Sequence, residues 1–199
     1  MKLSNSLSPY WLWLVLALPA LSMIAPFFDE NTRALRGVLH GSGEFSARFL
    51  IISLMATPLV MLTKGAGFAR WLRANRRYFG VAAFGYAALH VLAYVMGESL
   101  ERILAEATKF DLATGWLAFV IFLPLAATSM DYAVRKLGKR WKSLQRWTYV
   151  AAVLTLLHWA SLHNWQGWIA PTVHFAPLAV LTLYRLWWSY LRVRPARMA

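Results

Sequence analysis

The chain has 199 residues, 59% of them hydrophobic, with a mean hydropathy of +0.47 and a formal net charge of +13. That is too apolar for an ordinary soluble domain. The complete lack of cysteine excludes disulfides, thiolate ligation, iron–sulfur clusters and covalent c-type haem attachment, and no G-x-G-x-x-G or P-loop pattern marks a fused nucleotide domain.

Uncharged runs occupy 3–28, 49–63, 78–97, 112–130 and 147–184. A helix needs about 20 apolar residues to cross a bilayer. The last run is long enough for two spans, with a turn near Gly167–Pro171. The pattern predicts an all-α integral membrane bundle of six helices, at about 10–28, 46–63, 78–96, 112–130, 147–164 and 172–191, in one domain over 1–199. The first run is longer than a signal-peptide core and five spans follow it, so it is expected to be a retained span. Pro19 and Pro26 are expected to bend it. The loops 29–45, 97–111 and 165–171 then share one side. Leu100, Ile103, Leu104 and Ala107 have a spacing compatible with a short surface helix and equally with a solvated loop.

The charge is unevenly spread. Lys64, Arg70, Arg73, Arg76 and Arg77 fill one loop region without an acid, and Arg135, Lys136, Lys139, Arg140, Lys142 and Arg146 fill another. The tail adds Arg192, Arg194 and Arg197. The intervening segments are neutral or acidic: Arg33 and Arg36 against Asp29 and Glu30, then Arg102 and Lys109 against Glu98, Glu101, Glu106 and Asp111. This alternation places the basic loops and both termini in the cytoplasm. It makes anionic lipid, not nucleic acid, the expected partner of the basic surface. The tryptophans near span ends fit an aromatic girdle.

Two histidines lie deep in uncharged runs. His90 is 12 residues past Tyr78 and His158 is 11 past Trp147. At 1.5 Å per residue both stand roughly 17–18 Å along parallel helices, in the outer half of the bilayer. Ionisable groups at such depth are costly and mark functional sites. A matched pair of imidazoles offers both axial ligands of a haem iron. Histidines hydrogen-bonded to other helices remain the alternative. His163 is expected to be wet and structural, His40 to lie in an external loop, and His174 to start the last span. Arg48 is expected to open the second span, as a partner for lipid phosphate or a haem propionate. Arg76, Arg77, Gln145 and Arg146 form an inner polar cluster suited to a flavin phosphate, a quinone headgroup or lipid.

The segments GSGEFSARFL, SLMATPL, RRYFGVAAFGYAALHVLAYV and KRWKSLQRWTYVAAVLTLLHW resemble the ferric-reductase-like transmembrane family, most of all its short bacterial members, over nearly the whole chain. The resemblance implies a b-type haem subunit of the bacterial inner membrane, with one haem b on His90 and His158. It implies electrons drawn from quinol or a cytoplasmic flavin reductase and passed to a periplasmic molybdopterin methionine sulfoxide reductase. It also implies FMN as a cofactor. Larger relatives stack two haems on two histidines per helix, 13–14 residues apart. Here Arg76 stands 14 residues before His90 and Gln145 stands 13 before His158. The short members carry L-H-R where this chain reads Leu144-Gln145-Arg146, so the inner ligand position departs from the family pattern. No catalytic residues of its own are expected. A stand-alone ferric or quinone reductase and a non-redox membrane scaffold or transporter are the alternatives.

Overall fold

The computed structural model describes residues 9–29, 33–162 and 164–191. His163, Arg192, Arg194 and Arg197 lie outside them. The described residues form helices and turns: α1 Pro9–Leu21, α2 Arg33–Leu62, α3 Gly67–Gly97, α4 Leu100–Glu106, α5 Phe110–Ala127, α6 Asp131–Leu137, α7 Lys139–Gln145, α8 Trp147–Ser161 and α9 Ile169–Leu186. A 3-10 turn, Ala25–Phe28, follows α1 and a π turn, Trp187–Leu191, extends α9.

Each of the six expected spans contains a helix, but the helix bounds differ from the charge-free runs. Four helices are long and apolar enough to cross a membrane: Arg33–Leu62, Gly67–Gly97, Phe110–Ala127 and Ile169–Leu191. α1 is a shorter apolar helix. α8 has 15 residues, about 22 Å at helical rise. The segment 29–45 is not a loop. From Arg33 onward it is the first half of α2, because Arg33, Arg36, His40, Glu44 and Arg48 fall every three or four residues and leave the other faces apolar. The segment 97–111 contains α4, opened by Ser99, whose hydroxyl accepts from the Arg102 N–H. Ile103 is buried while Leu100 and Leu104 are exposed, so this helix lies against the bundle with an apolar edge turned outward.

α2 and α3 form a long antiparallel hairpin. The turn between them uses left-handed backbone at Lys64 and Gly65, which ends α2 without breaking its packing. Small residues let the backbones approach: Ser42, Ala47 and Ala83 are almost wholly buried. Ser46 Oγ donates to the Ala83 carbonyl at 2.9 Å and Ser53 Oγ to the Arg76 carbonyl at 2.9 Å. Tyr86 Oη donates to the Leu16 carbonyl at 2.9 Å and fastens α1 to α3. α5 and α8 form a second antiparallel pair, and one apolar core joins Leu50, Leu54, Ala83, Phe122, Ala151 and Phe175 from five helices. α3 and α8 run parallel, with both of their basic starts at the end of the bundle that carries α6 and α7.

Ala83 is fully enclosed beside the Ser46 hydrogen bond. Ala83→Leu is expected to overpack this contact and cost about 1–3 kcal/mol. A lowered temperature of aggregation in detergent, against wild type, checks it.

Candidate functional site

His90 lies on α3 seven residues before its end and His158 lies on α8 three residues before its end. The parallel course of the two helices brings the rings together, with centres 6.2 Å apart and planes at 88°. Each ring is anchored on a different helix. His90 Nδ1 donates to the Leu39 carbonyl of α2 at 2.8 Å. His158 Nδ1 donates to the Asp111 carbonyl in the first turn of α5 at 2.7 Å. A carbonyl can only accept, so both Nδ1 atoms carry the proton and both Nε2 atoms keep a free lone pair. Asp111 lies only one residue into α5, which sets the pair close to the α4 end of the bundle.

Two imidazoles on adjacent helices, each with a free Nε2 lone pair and ring centres 6.2 Å apart, would be the residues to hold a shared metal. Among the described residues no group of three or more His, Cys, Asp or Glu side chains is placed to hold a metal ion. A bare ion wants about four protein donors. A haem iron brings its equatorial nitrogens with it and wants two axial ligands, so the donor set fits a haem.

The other polar residues divide between the two ends. His40 is on α2, not in a loop, and its Nε2 is 3.3 Å from Glu44. Arg48 does not open the span: it is halfway along α2, 2.6 Å from Glu44, so its charge is met on its own helix. His174 sits inside α9, where its Nδ1 donates to the Ala170 carbonyl at 2.8 Å and its ring packs 5.1 Å from Trp159. Arg76, Arg77, Gln145 and Arg146 line one cavity of about 260 Å³ at the α6–α7 end, together with Lys142, Tyr149 and Arg185. Arg77 donates to Asp131 at 2.6 Å. That hydrogen bond and the guanidinium charge hold the Asp131 carboxyl below the usual carboxylate range. Arg76 donates to Thr57 Oγ1 at 3.2 Å and Arg185 to Tyr149 Oη at 2.7 Å. Gln145 turns its amide to α5, donating to the Leu125 carbonyl at 3.2 Å and Thr128 Oγ1 at 3.4 Å. It serves as a clamp between α7 and α5.

Sequence reading passed over Gly43 and Gly115, which face the two imidazoles. The signal was present in principle: a glycine inside a helical run usually has a packing or functional reason. Only the fold says what approaches.

The ferric reductase like transmembrane component family model matches residues 42–156. Proteins named protein-methionine-sulfoxide reductase heme-binding subunit MsrQ, from Brucella ovis, Brucella canis and Brucella suis, are 36% identical over 160 residues, which cover 78% of this chain and 70% of each relative. No solved structure matches. The matched segment runs from the polar half of α2 through α3 and α5 to the middle of α8, and the longer alignment accounts for most of the bundle. The chain is a multi-pass membrane protein that belongs to the ferric reductase like transmembrane component family, among relatives named MsrQ.

Proposed function

We propose that the chain is the haem-bearing membrane subunit of a methionine sulfoxide reductase system, holding one haem b between His90 and His158. The observation that carries this reading is the ring pair, with centres 6.2 Å apart and a free Nε2 lone pair on each ring. When bound, the haem supplies reversible one-electron transfer. His90 and His158 would supply two ring nitrogens to the iron, and the carbonyls of Leu39 and Asp111 fix the rings. The names of the Brucella relatives support the assignment to the methionine sulfoxide system.

The charge alternation of the loops supports a bacterial inner membrane location with both termini cytoplasmic. In that orientation the histidine pair faces the periplasm, and electrons leave to a molybdopterin methionine sulfoxide reductase of the MsrP-like kind. Methionine sulfoxide repair needs a supplied reductant. Electrons enter from quinol or from a cytoplasmic flavin reductase. The basic cavity at the α6–α7 end has the arginines and aromatic rings to take a quinone headgroup or the phosphate and ring of FMN.

The purified protein, reduced with dithionite, is expected to show the sharp α and β bands of a low-spin bis-histidine haem b. His90→Ala and His158→Ala are each expected to abolish or severely perturb them; normal spectra in both variants would remove the assignment. Mixed with the periplasmic reductase and a sulfoxide substrate, the reduced protein is expected to reoxidise faster than with substrate alone, followed by stopped-flow absorbance. Equal rates would end the proposed partnership. Gln145→Ala is expected to leave haem content and the reduced spectrum unchanged, because its amide is committed to α5. Haem lost there but retained in His158→Ala would show that the inner layer holds the iron.

A further inference from the structure

The two histidine anchors share one construction. The carbonyl that receives His90 belongs to Leu39, and four residues on stands Gly43. The carbonyl that receives His158 belongs to Asp111, and four residues on stands Gly115. In an α-helix the N–H of residue i+4 occupies one lone pair of carbonyl i, and a second lone pair remains for a side chain arriving from another helix. Every Cα–Cβ bond tilts toward the helix N-terminus, so a side chain at i+4 overhangs the place where that visitor must sit. A methyl on Gly43 would stand 2.9 Å from His90 Nδ1 and 3.1 Å from its Cε1. One on Gly115 would stand 2.8 Å from His158 Nδ1 and 2.9 Å from its Cε1. Thr114 Oγ1 also reaches the Asp111 carbonyl, at 2.8 Å, but has Phe110 as a second acceptor at 2.9 Å.

We propose that Gly43 and Gly115 are positioning residues for the two histidines: each lays open a helix carbonyl that fixes the imidazole as the Nδ1–H tautomer and turns Nε2 to the iron. The inference rests on the haem reading above and adds what holds the ligands in register. His90 and His158 bond the iron. The glycines touch only the rings, and they act on the tautomer and tilt of the ring, which set the basicity of Nε2.

Gly43→Ala and Gly115→Ala, purified from membranes in detergent, are expected to lose haem or to show broadened, shifted reduced bands and a changed potential. Gly37→Ala and Gly85→Ala, on α2 and α3 where a methyl meets nothing within 4 Å, are expected to match wild type. Wild-type haem content, spectrum and potential in both Gly43→Ala and Gly115→Ala would overturn the proposal. A colourless wild type would overturn the haem reading beneath it. A second measurement does not depend on how the alanine variants fold. In His90→Gly, added imidazole is expected to restore the low-spin spectrum, since its free N–H can reach Leu39. 1-Methylimidazole has no such donor and is expected to bind roughly 10–100-fold more weakly, the usual cost of losing the hydrogen bond behind a metal ligand. Equal binding of the two would overturn the role of the carbonyl.

Discussion

Inside a bilayer a polar side chain has no water to turn to, so its partner must come from the bundle itself. This constraint organises the protein. Ser46, Ser53, Tyr86, His90 and His158 each direct their donor to a backbone carbonyl on a different helix. These bonds join α1 to α3, α3 to α2 along its length, and α8 to α5. Each is worth about 0.6 kcal/mol by the averages seen in membrane proteins, so their value is less in depth of stability than in register. A helix that slid by one residue would lose its carbonyl and expose its hydroxyl or imidazole to hydrocarbon. The same bonds that align the helices therefore align the two rings.

The two ends of the bundle are chemically unlike. Near α4 two neutral rings stand with their centres 6.2 Å apart. At the α6–α7 end a cavity gathers Arg76, Arg77, Lys142, Arg146 and Arg185. Gln145, at the same end, has its amide bound to α5. One end thus has free nitrogen lone pairs and the other has cationic donors. The first suits a metal; the second suits an anion or a carbonyl-bearing ring.

Much of this was legible from residue order. Each charge-free run carries a helix over most of its described residues, and the spacing of His90 and His158 placed them level because helical rise is uniform. Arg76, Arg77, Gln145 and Arg146 share a cavity because the first third of α3 passes the junction of α7 and α8. Where the reading went astray, it equated absence of charge with membrane span. The segment 29–45 looked like a loop, yet from Arg33 onward the three- and four-residue spacing puts the charges along one stripe of α2, where Glu44 neutralises Arg48. The role of Gly43 and Gly115 was beyond reach, since it depends on which carbonyl a histidine from another helix finds.

The separation of the cavity from the histidine pair also has an electrical meaning. Along α8 from Trp147 to His158 the rise is roughly 17 Å, a little over half of a hydrocarbon core about 30 Å thick. An electron taken up at the cavity and delivered to the pair crosses that fraction of the membrane field. With the cell interior negative, it moves downhill, gaining about 1.3 kcal/mol per 100 mV, the same fraction of the full 2.3. On the proposed function and orientation, repair at the outer face would be driven in part by the membrane potential, and every turnover supplied from within would discharge a little of it.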